Sequence, residues 1–456
     1  MKYINLNKIK VLGLILCTGS LITSCSDSID VPKVSENPYQ SADKTLAFIT
    51  DKYGASNLDS LIFSDKGATD FYVNLNNAPQ TSQEYAIVYD ATSLNKYNLA
   101  HGTDIKPLPE ELVTIDGVAT VKAGETKSSA VKVAYTSANQ LEKNGTYAIP
   151  LTVKGSGAQA SADKGEFVLL VKDITKMPNC HKENGLQVIS CMEINDANPL
   201  YNLCFTLKES GKYFFDQVIL FSGNINYNAE TGEVYNYNNE NISQCLNFKE
   251  KYLAPLQQKG MKVILGILGN HDRSGVANLS KEGAKAFAAE LKSVCDAYNL
   301  DGVFFDDEYS SYGSYPGFVS PSNAAASRLC YETKKAMPDK LVEVYVYNRT
   351  RSLPSVDGQT SGTFVDYGIH DYGGTSDLSS NYPGMPKTGM ILGSIECARG
   401  YASSASVYEN IKNNKYGGTM VFGLSPDRTP MNVLNRVAHA FYGEDVVRIG
   451  TYKKDW

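Results

Sequence analysis

The chain has 456 residues, of which 42% are hydrophobic, 10% aromatic and 20% charged, with a net charge of -6. That length and composition exclude a single small module and bulk disorder, and leave room for two or three domains with packed cores. The acidic balance argues against a nucleic-acid partner, because neutralising phosphates needs a basic face. Thirty tyrosines against one tryptophan, with many asparagines, suit a polar-aromatic surface that handles sugars.

The N-terminus carries Lys2, Lys8 and Lys10, an apolar stretch from Val11 to Ile22, and small residues ending at Cys25. This is the pattern of a signal peptide, too short for a membrane span of ~20 residues. Ile22-Thr23-Ser24-Cys25 resembles the lipobox of bacterial lipoproteins, in which the cysteine becomes the lipidated first residue. Residues 1–24 are then removed, which lowers the net charge by three, to -9. Residues 25–40 form an acidic tether similar to the surface-export segment of Bacteroidetes lipoproteins. The resemblance implies anchoring at the outer membrane, on the cell surface, with membrane contact only through the lipid. Seven cysteines remain, at 180, 191, 204, 245, 295, 330 and 397. They lack CxxC pairs and read as buried small hydrophobes, with a 180–191 bridge left open.

Residues 41–173 hold short alternating apolar runs bounded by Gly, Asn, Asp and Pro, at 70–75, 85–89, 130–135, 147–153 and 166–171. Such runs predict an all-β sandwich. The segment resembles the N-terminal domain of unknown function that precedes glycan-handling modules in Bacteroidetes lipoproteins, and a spacer role is expected.

From 186 to 456 strands alternate with helical patterns. The predicted strands are 187–193, 216–222, 261–268, 301–307, 341–347, 364–370, 389–395 and 417–423. Ser243 is the predicted cap of a helix running to Gln258, Ser280 that of a helix through Tyr298, and Ser320-Pro321 opens a third. Eight strand-helix units predict a (β/α)8 TIM barrel, so the fold class is α/β with an all-β sandwich in front. A doubly wound open sheet is the alternative for the same pattern.

The fourth strand reads Asp301-Gly302-Val303-Phe304-Phe305-Asp306-Asp307-Glu308. Alternation puts Phe304, Asp306 and Glu308 on one face, so two carboxyls meet at the barrel mouth, ~6–7 Å apart along the strand. Their mutual repulsion raises the second pKa and lets a glutamic acid keep its proton near neutrality, as a general acid must. This octad resembles the DGxDxDxE signature of glycoside hydrolase family 18. Phe221 to Tyr227, Pro255 to Leu265 with Gly266 to His271, and Leu300 to Gly313 extend the likeness to the family's secreted bacterial endo-β-N-acetylglucosaminidases, the endoglycosidase H type. The resemblance covers about 186–445.

It implies retaining cleavage of the β-1,4 bond in the N,N'-diacetylchitobiose core of an N-glycan, assisted by the substrate's own acetamide through an oxazolinium intermediate. By position, Glu308 is the acid and then the base, Asp306 orients the acetamide, and Tyr372 meets its oxygen. No cofactor and no metal are implied. The partners are an N-linked glycan or glycoprotein and a possible glycan-uptake machinery. Phe304 stands where the signature usually has Asp, which removes an acidic neighbour beneath Asp306 and implies slower turnover. A non-catalytic glycan-binding lipoprotein with the same barrel is the alternative function.

Further strand ends supply expected sugar contacts: Glu193 and Asn195, Asn224 and Asn226, Asn270 and His271, Tyr345, His370 and Glu396. His271 has no second histidine at ligand spacing. The single tryptophan is the terminal Trp456, so tyrosine and phenylalanine must do any stacking. The segment from Asn226 to Tyr237 is the expected specificity wall.

Overall fold

The computed structural model describes residues 44–52, 54, 56, 60–62, 66–101, 103–136, 146–172, 177–313, 315–449 and 451–456. The lipobox with Cys25 and the tether, residues 25–40, lie outside them. No helix among the described residues is long and apolar enough to cross a membrane.

In the N-terminal region, strict alternation decides which face each strand buries. Along Val131–Thr136 the side chains of Val131, Val133 and Tyr135 are buried while Lys132 and Thr136 are exposed. One sheet orders its strands Gln159–Ala160, Leu46–Asp51, Lys66–Leu75, Val131–Thr136 and Val113–Asp116. The other runs Ser60–Ile62, Glu166–Lys172, Thr146–Gly155, Gln83–Tyr89 and Ala119–Val121, with Lys106–Pro107 paired to Thr146–Gly155. Their inner faces share a core in which Phe71 meets Phe167 edge-on at 4.9 Å. The sandwich also carries a helix, Ala91–His101, that the strand periodicity did not predict. Asp90 accepts the Thr92 N–H at 3.0 Å at its start. Leu94 of this helix packs on Ala148, Val168 and Leu170, which explains why 166–171 is apolar on both faces.

The C-terminal region forms a closed barrel of eight parallel strands: β1 Gln187–Glu193, β2 Gln217–Tyr227, β3 Lys262–Gly269, β4 Gly302–Phe305, β5 Leu341–Val346, β6 Tyr367–His370, β7 Met390–Ile391 and β8 Gly418–Phe422. Each pairs with the next, and Gln187 opposite Gly418 closes the ring. β2 runs past its predicted end and pairs with Val234–Tyr237, so the segment from Asn226 to Tyr237 is a hairpin. Inside, Ile189, Ile219, Ile264, Phe304, Ile369, Ile391 and Met420 interdigitate as an apolar plug. Outside, the helix Lys281–Tyr298 lays Ala284, Phe287, Ala288, Leu291 and Cys295 on the sheet. Burying each of the larger of these stabilises the barrel by about 1.5–3 kcal/mol.

Ser280 caps that helix as predicted, accepting the Gly283 N–H at 3.1 Å. The other two predicted caps are corrected. Asn239, not Ser243, caps Glu240–Asn247, and the run to Gln258 breaks into Lys249–Tyr252 and Ala254–Gln258. Pro255 can sit only in a first helical turn, so the chain restarts there. Ser322, not Ser320, caps Asn323–Ala336, because its hydroxyl reaches the Ala325 N–H.

Three aspartates fasten the lower rim in the same way, each directly preceding an even-numbered strand. Asp216 accepts the Val188 N–H at 2.8 Å and pairs with Lys182 at 2.7 Å. Asp301 accepts the Val263 N–H at 2.9 Å and pairs with Lys262 at 3.0 Å. Asp366 accepts the Val342 N–H at 2.8 Å and pairs with Lys334 at 2.9 Å. The aspartate of the Asp301-Gly302 pair is therefore a strand fastener. Gly302 is needed beside it because a Cβ there would lie 2.2 Å from the Leu341 carbonyl. All seven described cysteines, 180 and 191 among them, are free buried thiols, and burial pushes Cys180 up to about 11.

Candidate active site

A cleft of about 650 Å³ opens at the C-terminal ends of the strands, where barrels of this class carry their sites. Phe304, 2% exposed, forms its floor and packs near Phe221 and Tyr345 at ring-centroid distances of 6.4 and 6.3 Å. One and two strand steps above it, Asp306 and Glu308 line the cleft together with Tyr372. Asp307, on the opposite face, accepts the Tyr312 hydroxyl and the Arg349 N–H, while its carbonyl accepts the Asn348 amide. It thereby fixes the loops that follow β4 and β5.

The glutamate is held by its backbone: the Glu308 carbonyl accepts the Gly269 N–H at 3.1 Å, and the Tyr309 carbonyl accepts the His271 N–H at 2.6 Å. Gly269 permits this approach, since a Cβ there would meet the Glu308 carbonyl oxygen at 2.3 Å. Tyr309 follows in a left-handed conformation, with its ring 59% exposed beside the cleft.

Burial pushes the Asp306 carboxyl well above its ordinary range, and the charges of Glu308, Asp307 and Asp371 push the same way. Its Oδ1 is buried without a hydrogen-bond partner among the described residues. Glu308 is raised by burial first, then by Asp371 and Asp307. The repulsion expected from the spacing falls on Asp306, whereas Glu308 owes its raised pKa to burial and to Asp371 and Asp307. Burial also keeps the Tyr372 phenol protonated across the working range of pH. The pair and the tyrosine thus supply one proton donor, one group able to accept from an amide N–H, and one hydroxyl donor around a single pocket.

Of the other residues marked in the sequence, Glu193 and Tyr345 line the cleft. Glu193 accepts the Asn195 amide at 2.9 Å, and burial raises its carboxyl. The rest are outside the lining, and most are engaged by neighbouring groups, although His370 Nδ1 is buried without a hydrogen-bond partner among the described residues. Asn224 donates to the Leu268 and Gly269 carbonyls at 3.3 and 3.2 Å, and Asn270 donates to Asn226 at 3.1 Å. The His271 ring packs on Tyr309, and His370 bonds Ser376 at 2.8 Å. Glu396 accepts the Ala398 and Arg399 N–H groups at 2.9 and 2.8 Å. The reading missed Asp371, Tyr347 and Arg399, which do line the cleft. Asp371 had a signal: it continues the inward series Tyr367, Ile369 along β6. Among the described residues no group of His, Cys, Asp or Glu could hold a metal ion.

Comparison with known proteins agrees with this geometry. A family model described as an N-terminal domain matches residues 39–159. Endo-β-N-acetylglucosaminidase F1 of Elizabethkingia meningoseptica is 55% identical over 281 residues, 60% of this chain and 83% of its own. An endo-β-N-acetylglucosaminidase of Flavobacterium sp. (strain SK1022) is 32% identical over 264 residues, covering 58% and 82%. Crystal structures of EndoBT-3987 from Bacteroides thetaiotamicron, with a Man5GlcNAc product and with a Man9GlcNAc2Asn substrate, align over 90% of this chain and 97% of theirs. Their TM-score is 0.58 at 35% identity. The chain is a glycoside hydrolase, and it belongs to the endo-β-N-acetylglucosaminidases of family 18.

Proposed function

We propose that this chain hydrolyses the β-1,4 bond between the two core N-acetylglucosamines of an N-glycan, with Glu308, Asp306 and Tyr372 as its catalytic residues. The observation that supports the reading is that Asp306 and Glu308, just beyond the end of β4, line one cleft with Tyr372. In the first step the acetamide carbonyl oxygen of the sugar attacks its own C1 while the bond from C1 to the leaving oxygen breaks. Glu308 gives its proton to that oxygen, Asp306 accepts the acetamide N–H, and Tyr372 donates to the acetamide oxygen. The oxazolinium cation then lies against the Asp306 carboxylate, whose ionised form is favoured once a positive charge is adjacent. In the second step Glu308 removes a proton from water, the water oxygen bonds to C1, and the ring of the intermediate opens.

Two displacements at C1 give net retention. The test is a proton-NMR time course on an N-glycopeptide: the β-anomer of the released sugar must form first and mutarotate later, and an α-anomer formed first contradicts the scheme. The oligomannose ligands of the EndoBT-3987 structures make a high-mannose glycan the first substrate to try. Residues 22–25 support attachment of the mature chain to the outer membrane through lipid on Cys25, with release of glycans for an uptake system as the role that follows.

A further inference from the structure

Glu193, the last residue of β1, lines the cleft with Asp306 and Glu308, and its Oε1 accepts the Asn195 side-chain amide at 2.9 Å. Asn195 Oδ1 accepts the amides of Asn239 and Asn241, at the start of the helix Glu240–Asn247, at 3.1 and 2.9 Å. Asn241 Oδ1 in turn accepts the Lys454 ammonium at 2.6 Å and the Trp456 indole N–H at 3.0 Å. Lys454 also donates to the Asn195 carbonyl at 2.9 Å, across a sequence separation of 259 residues. Three distant stretches of sequence thus form one chain of hydrogen bonds that ends on a cleft carboxyl.

That chain has a direction fixed by its chemistry. An ammonium and an indole N–H can only donate, whereas a side-chain amide has one accepting end and one donating end. Lys454 and Trp456 therefore turn the Asn241 oxygen toward themselves and its NH2 toward Asn195. Asn195 must then offer its oxygen to Asn241 and its NH2 to Glu193. Turning either amide over would set donor against donor and oxygen against oxygen.

The segment that starts the relay is firmly seated. Tyr452 and Asp455 are 2% and 7% exposed. Asp455 accepts the Tyr252 hydroxyl at 2.9 Å and the Asn198 amide at 3.2 Å, and it pairs with Lys251 at 2.6 Å. The Trp456 ring meets Tyr252 edge-on at 4.9 Å, with the Lys454 ammonium 5.1 Å from the Trp456 centroid.

We propose that Asn195 is a positioning residue for substrate: oriented by Lys454 and Trp456 through Asn241, it holds the Glu193 carboxyl where a hydroxyl of the bound glycan donates to it. The proposal rests on the reading above in taking this cleft as the glycan site. A glutamate rotamer fixed beforehand loses no further freedom when the sugar binds, so the gain lies in affinity and not in the bond-breaking step.

The experiment is a double-mutant cycle in the full chain, read as the Kd for Man9GlcNAc2-asparagine by isothermal titration calorimetry, with Glu308→Gln in every protein so that the ligand stays intact. Asn195→Ala removes the donor to Glu193. Asn241→Asp keeps an acceptor for Lys454 and Trp456 but has no amide for Asn195. Each raises Kd about fivefold, and neither raises it further once Glu193 is replaced by alanine. Trp456→Phe keeps the ring against Tyr252 and acts in the same direction more weakly, because Lys454 still donates to Asn241. With Glu308 intact, Asn195→Ala and Asn241→Asp raise KM and leave kcat within twofold. An Asn195→Ala protein that binds as tightly as its parent overturns the proposal, even if its Tm is lower, since the relay then serves stability alone. Equal losses of affinity with and without Glu193 overturn it as well. If the wild type cleaves nothing, the catalytic reading fails separately, and the same cycle run with Glu308 intact still decides whether Asn195 acts through Glu193.

Discussion

Phe304→Asp puts a carboxyl back at the position where the family 18 signature usually has one. The structure predicts that this chain does not tolerate it. Phe304 is 2% exposed and packs in the plug with Ile189, Ile219, Ile264 and Met420. Removing a buried phenyl ring costs about 3–5 kcal/mol, and a buried carboxyl without its hydrogen bonds adds about 1–3 kcal/mol. The sum, roughly 4–8 kcal/mol, is a large part of the ~5–15 kcal/mol that holds a folded protein together. At ~2–4 °C per kcal/mol for a domain of this size, Tm falls by about 10 °C or more. The new carboxyl is raised by burial and by Asp306 above it, so its neutral form is the one the fold tolerates. The deficit against the wild type therefore grows as pH rises through the ordinary carboxylate range. Thermal unfolding followed by near-ultraviolet circular dichroism at pH 5 and pH 8 checks both parts, with Phe304→Leu as a milder control expected to lose under about 2 kcal/mol. A Phe304→Asp protein within 2 °C of the wild type at both pH values would refute the apolar plug as the support of Asp306.

Three further outcomes follow from other residues. Glu343 is fully buried inside the barrel, raised by burial, with Gln217 as its polar neighbour. Its stabilising neutral form is fully present below the unfolded-state pKa and is lost as pH rises toward the folded one. Glu343→Gln is thus neutral near pH 4 and more stable than the wild type at pH 8 in urea unfolding, by about 1.4 kcal/mol per pH unit of separation between the two pKa values. Asp301→Ala leaves the Val263 N–H and Lys262 without their acceptor and should cost about 1–3 kcal/mol, read as a lower urea midpoint with kcat retained. Cys25→Ala should abolish incorporation of a labelled fatty acid in cells and release the protein from the membrane fraction. Undiminished labelling would refute the lipobox.

The barrel was legible because strand period, glycine and aspartate boundaries and helix patterns all agree along 186–456. The acidic pair was legible from alternation alone, since residues 304, 306 and 308 must share a face. Contacts that form across strands were not. Asp371 accepts the Tyr345 hydroxyl from β5, and nothing near 371 in the sequence names that partner. The rim asparagines look like sugar ligands as residue types. Yet Asn224 and Asn226 are occupied by neighbours more than 40 residues away. The helix at 91–101 carries one buried leucine among polar residues, too weak a stripe to stand out from a loop. The three fastening aspartates did leave a trace, each standing immediately before an even-numbered strand, at 216, 301 and 366.

The central claim is that Glu308 drives cleavage inside the chitobiose core. Its most direct test is the intact mass of a high-mannose glycoprotein after incubation with residues 26–456, beside the same protein carrying Glu308→Gln. The account predicts that the wild type leaves one N-acetylglucosamine on the asparagine and frees the rest of the glycan, and that the variant leaves the mass unchanged. An unchanged mass with the wild type on high-mannose, hybrid and complex glycoproteins, or equal cleavage by the variant, would contradict it.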